Sequence, residues 1–105
     1  NSFFILMGSW LSVEDFEEMD YRINSYNNIE KSEKNKIESY YRKMENKSPR
    51  EIYQLANSLY FGRYHPDNTK QIIDTRGAAI YYKQAYEKLL KYIQTLEISY
   101  DSDDY

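Results

Sequence analysis

From Ser12 onward apolar residues recur at intervals of three and four, alternating strand-like runs are missing, and only three glycines and two prolines interrupt the chain. That pattern predicts an all-helical domain. Ser12 opens the first helix with Asp15 as its capping-box partner, and Val13, Phe16, Met19, Ile23 and Tyr26 form its apolar stripe. Glu14, Asp15, Glu17, Glu18 and Asp20 make its outer face acidic, and Asn24, Asn27 and Asn28 loosen it into a connection. A second helix is expected from about Glu33 to Asn46, with Ile37, Tyr40, Tyr41 and Met44 inward. Its surroundings are basic (Lys31, Lys34, Lys36, Arg42, Lys43, Lys47, Arg50), which reads as a solvated face or as a docking patch for an acidic partner. Ser48-Pro49-Arg50-Glu51 is a strong start signal for the third helix: a capping serine, a proline in the first turn and a glutamate reaching back. Ile52, Leu55, Ala56 and Leu59 line one face, widened by Tyr53, Tyr60 and Tyr64. Gly62 weakens the last turn, Pro66 ends it, and a polar loop follows to about Ile73. Asp74 or Thr75 caps the fourth helix, whose core positions Ala78, Tyr82, Ala85, Leu89, Ile93 and Leu96 approach a heptad. The third and fourth helices are thus expected to pair antiparallel, and the tail from Ser99 to fray.

Length and composition narrow this picture. At 105 residues the chain has room for one hydrophobic core. With no cysteine, neither a disulfide framework nor a thiolate site is possible, and one histidine excludes a multi-histidine metal cage. No cofactor is expected. A net charge of −3 argues against a generic nucleic-acid binder, despite Tyr40 and Tyr41 within the basic stretch. The 13 tyrosines, with abundant Asn, Ile and Lys, fit the coding bias of an AT-rich genome. Phe3 to Leu11 (FFILMGSWL) is strongly apolar but half the length of a membrane span and without the basic flank of a cleavable signal. It reads as a piece packed on the domain's own core, an arm that docks on a partner, or the stub of a longer segment. The chain begins at Asn1, as a processed or trimmed product would, so membrane attachment is expected only through residues upstream of Asn1. The absence of cysteine suits the cytoplasm and an organelle interior such as the mitochondrion alike.

The loop is the most specific part of the chain. Arg63-Tyr64-His65-Pro66-Asp67-Asn68 ends one helix and precedes another carrying Ala85-Tyr86-Glu87-Lys88-Leu89. This resembles the J-domain of the DnaJ co-chaperone family, which places His-Pro-Asp between two antiparallel helices and an Ala-Tyr-Glu-x-Leu stretch on the second. The spacing from Asp67 to Ala85 fits without a gap, Tyr53, Ala56, Tyr60 and Tyr64 fall at the family's core positions, Tyr40, Tyr41 and Met44 look like its short first helix, and Tyr100-Asp101 like its Tyr-Asp near the end. The resemblance divides the chain into an arm (1–11), an extra helix with its connection (12–36), a J-like domain (37–101) and an acidic tail (102–105). It implies a co-chaperone module, not an enzyme. His65, Pro66 and Asp67 would engage a DnaK-type heat-shock ATPase and stimulate its ATP hydrolysis, Tyr64 and Arg63 would support the loop, and Arg50 and Lys47 would supply basic contact. Proline constrains its own backbone and that of the residue before it, so an exposed imidazole and carboxylate are expected at the tip of a rigid hairpin.

The sequence also departs from the family. Residues 49–64 carry Arg50, Arg63 and Glu51 and little other charge, so electrostatic steering toward an acidic partner is weak. Gly62 and Asn68 read as soft spots beside the tripeptide. A degenerate J-like subunit of a larger assembly is therefore an alternative. Another is a tetratricopeptide-like hairpin built on Leu55-Ala56, Gly62, Asp74, Ala78, Tyr82 and Ala85, which would be a pure protein-binding module. An acid–base pair of His65 and Asp67 lacks a neighbouring serine nucleophile and a glycine-rich phosphate cradle, so the residues give no support to an enzyme.

Overall fold

A computed structural model describes residues 12–103, with side chains described as far as Gln94. Four helices follow in order: α1 (Val13–Asn27), α2 (Lys31–Glu38), α3 (Pro49–Phe61) and α4 (Thr75–Asp103), with no strand among the described residues. The apolar arm 1–11 and residues 104–105 lie outside the described residues. Both capping boxes form as the sequence predicts. Ser12 and Asp15 exchange backbone-to-side-chain hydrogen bonds of 2.9 and 3.1 Å, and Ser48 and Glu51 do so at 3.3 and 3.2 Å. The Ser48 backbone N–H holds the Glu51 carboxyl below the ordinary carboxylate range. At the head of α4, Asp74 is the cap, accepting from Gly77 N at 2.9 Å.

α3 and α4 form the central pair. Asp74 N donates to Leu59 O at the end where they are joined, and Lys88 Nζ reaches Lys47 O at the other, so the two run antiparallel. Between them Ile52, Leu55, Ala56 and Leu59 meet Ala78, Tyr82, Ala85 and Leu89, all buried. α1 adds Met19 and Ile23 to this core, and Phe16 meets Tyr86 edge-on at 5.2 Å.

The second helix is shorter than its pattern predicts. It ends at Glu38, and Tyr40, Tyr41 and Met44 lie in an irregular segment, so the short first helix expected there does not form. Side chains of α4 replace the lost helical bonds: Gln84 accepts from Met44 N and donates to Arg42 O, and Lys88 donates to Glu45 O and Lys47 O. Tyr41 is drawn to the head of α4, where its hydroxyl donates to Asp74 and its ring meets Tyr81 edge-on at 5.5 Å. Gly77 leaves the space this phenol fills, since a Cβ there would collide with it. At the other extreme, α4 runs on to Asp103 where fraying from Ser99 is expected.

Buried tyrosines make the fold sensitive to alkali. Burial pushes the phenols of Tyr26 and Tyr82 up to about 12, helped at Tyr26 by a hydrogen bond to Glu38 and by that residue's charge, and opposed at Tyr82 by Arg22. Both stay protonated in the folded chain while unfolded phenols ionise near 10. Their contribution to stability is therefore complete below about pH 10 and lost as the pH rises toward 12. The urea midpoint is expected to fall across that window; a flat midpoint would contradict the burial of these phenols.

Candidate functional site

The tripeptide loop is built from the end of α3. Gly62 stops the helix with φ of 70°, its N–H and that of Arg63 both turning back to Ser58 O. A Cβ on Gly62 would also stand 2.6 Å from Ile73 Cγ1. Gly62 is thus the stop itself, and Pro66 lies beyond it. His65 O then accepts from Asn68 N at 2.8 Å, which makes His65-Pro66-Asp67-Asn68 a four-residue turn with proline at its second position.

Asn68 holds this turn in place. It is 4% exposed, and its amide nitrogen lies 3.2, 3.0 and 3.3 Å from the carbonyl oxygens of Ser58, Arg63 and Ile72. One side chain therefore ties together the helix end, the segment entering the turn and the segment leaving it. This reverses the reading of Asn68 as a soft spot. The signal was present, because asparagine after Pro-Asp in a polar loop is suited to bonding nearby backbone.

The two ionisable groups are not equally presented. The Asp67 side chain is 47% exposed, whereas that of His65 is only 19% exposed. The expected exposed imidazole is corrected accordingly: the loop folds back along α3, and the ring packs against it. Asp67 N donates to His65 Nδ1 at 3.0 Å, so the neutral ring carries its proton on Nε2. The Asp67 carboxylate lies 3.9 Å from the same Nδ1.

His65, Pro66 and Asp67 border a cleft of about 310 Å³, with Met44, Ile52 and Leu55 at its apolar side and Lys47 and Glu51 at its polar side. Lys47 pairs with Glu51 at 3.8 Å across the first turn of α3, so it belongs to the same cleft as the tripeptide. Arg50 is exposed on that helix and does not line the cleft. Arg63 and Tyr64 lie outside it and face solvent, Arg63 stacking 4.6 Å over the Phe61 ring. The arrangement offers a partner a carboxylate, an apolar slot and an exposed tyrosine. Among the described residues no cluster of three acidic or histidine side chains is placed to hold a metal ion, and no helix is long and apolar enough to cross a membrane.

A second polar centre escaped the sequence reading. Arg22, 8% exposed, pairs with Glu18, donates to Tyr82 and to Asn57, and stacks 4.0 Å from the Tyr60 ring centroid. It falls among Met19, Ile23 and Tyr26 on the inward face of α1, so helical spacing alone placed it inside. Comparison with protein-family models, characterised proteins and solved structures finds no match for the chain.

Proposed function

We propose that this is a J-like protein-binding module whose turn at His65-Pro66-Asp67 docks on a DnaK-type ATPase and stimulates ATP hydrolysis. The observation that carries the reading is the Asn68 clamp, which fixes the turn before any partner arrives. A loop that is already ordered loses little conformational freedom on binding. Asp67 is the exposed charge that a partner's cation would meet, the cleft beside it takes an apolar side chain, and Lys47 lies at the cleft's rim. Tyr64 and Arg63 flank the turn, and Arg50 supplies the remaining positive charge on α3.

Steady-state ATP turnover by a DnaK-type chaperone tests this, with the native domain and with His65→Gln and Asp67→Asn. Native stimulation with about a tenfold loss of potency in either variant is expected, the size of one strong interface contact. No stimulation over a wide concentration range with several chaperones would overturn it. The nearly neutral outer side of α3, with Arg50, Glu51 and Gln54 exposed, favours a second reading as a structural subunit of a larger assembly. In that case the folded domain binds a partner protein but leaves ATP turnover unchanged.

A further inference from the structure

The turn at His65-Pro66-Asp67 holds a contact that depends on a proton. Asp67 N donates to His65 Nδ1 at 3.0 Å, and the Asp67 carboxylate lies 3.9 Å from the same nitrogen. Nδ1 accepts the amide only while it carries no proton of its own. When solvent delivers a proton there, Nε2 keeps its proton and the ring becomes a cation. Two N–H donors then face each other across 3.0 Å. An acceptor of opposite charge, the Asp67 carboxylate, is within reach of the new Nδ1–H.

The surroundings confine this exchange to two side chains. Asn68 anchors the backbone of the turn through the carbonyls of Ser58, Arg63 and Ile72, and its N–H donates to His65 O. The ring itself is held against α3, with 19% of its side chain exposed. Glu51 of α3 faces it across the cleft, paired with Lys47 from the segment before that helix. On the ring's other side the loop contributes Arg63 and Tyr64, and from α4 the phenol of Tyr81 feels the Asp67 charge. Carboxylates, phenols, lysine and arginine keep one charge state around neutral pH, so among these groups only His65 changes charge there.

We propose that protonation of His65 switches the turn between two hydrogen-bonding states. In the neutral state Nδ1 holds the Asp67 amide and leaves the carboxylate to solvent. In the cationic state Nδ1–H holds the carboxylate and releases the amide. The consequence for binding rests on the docking proposed above: acid withdraws the Asp67 charge from the partner.

His65 is the sole histidine, so the titration of its ring in the isotope-labelled chain is followed without overlap. Above the midpoint its nitrogen signals are expected to show the Nε2–H form with Nδ1 unprotonated. The amide and carboxyl signals of Asp67 should step with the midpoint of the ring. Amide protection at residue 67, taken relative to an unstructured chain, should fall severalfold on the acid side, as for the loss of one hydrogen bond. The amide step should survive in Asp67→Asn, which keeps the backbone donor, and vanish in His65→Gln. A ring protonated on Nδ1 at alkaline pH, an Asp67 amide or carboxyl indifferent to the ring, or an amide step retained in His65→Gln would overturn the switch. These measurements involve no chaperone. A flat Asp67 amide therefore sinks the switch and leaves the docking in place, whereas a chaperone that fails to bind sinks the docking and leaves the coupled titration standing.

Discussion

Truncating Tyr82 to alanine is expected to lower stability by about 4 kcal/mol, the cost of removing a large aromatic side chain from a packed core. Tyr82 is fully buried between α3 and α4, and its ring packs against those of Tyr53 and Tyr60. Its hydroxyl accepts from Arg22 and donates to Asn57, joining all three long helices at one point. Tyr82→Phe keeps the ring but leaves the Arg22 guanidinium and the Asn57 carbonyl each short of a partner, for a loss of about 2 kcal/mol. Against a typical total of about 5–15 kcal/mol, the alanine variant approaches the unfolding threshold. Thermal melts of the two variants check this, with the midpoint falling by roughly 20 °C for alanine and about half as much for phenylalanine. Equal, small shifts would mean that neither the ring nor the hydroxyl is held as described.

Asn68→Ala is expected to cost about 3 kcal/mol and to weaken partner binding more than this loss of stability explains. The substitution removes three short contacts from a buried amide and strands the carbonyls of Arg63 and Ile72, whereas Ser58 O keeps its bonds from Gly62 and Arg63. The turn then loses its tie to the helix end while the core stays in place. Amide hydrogen exchange should accelerate across residues 63–72 and remain slow in α3 and α4. Asn68→Asp removes the donor and buries a charge among carbonyl oxygens, so it should be at least as damaging. Uniform acceleration across the domain would contradict a local clamp.

The helices that start with side-chain caps were legible from the residues. Ser12-x-x-Asp15 and Ser48-x-x-Glu51 are local signals, and a local hydrogen bond does not depend on what packs beyond it. The α3–α4 pair was legible too, because Ile52, Leu55, Leu59, Ala78, Tyr82 and Leu89 all keep helical spacing and all are buried. The end of the second helix was not legible for a physical reason: Tyr40, Tyr41 and Met44 repeat as a helix would, yet Tyr41 gains more from Asp74 and Tyr81 than from a continued helix. At the site, the turn itself was readable from Pro66, but the covering of His65 and the burial of Asn68 depend on how the loop folds back along α3. Residue spacing carries no information on that path. The inward Arg22 was readable in position but not in meaning, since its partners lie on three different helices.

On the function proposed above, the turn at His65-Pro66-Asp67, with the cleft beside it, is the surface a DnaK-type ATPase meets. Titrating the isotope-labelled domain with the nucleotide-binding half of such a chaperone tests it most directly, by following each backbone amide. Shifts are expected to concentrate in residues 63–68 and around Lys47, Glu51 and Leu55, with the α1 surface at Glu14 and Glu17 undisturbed. Shifts confined to α1 or to the far end of α4, or none at saturating chaperone, would contradict it.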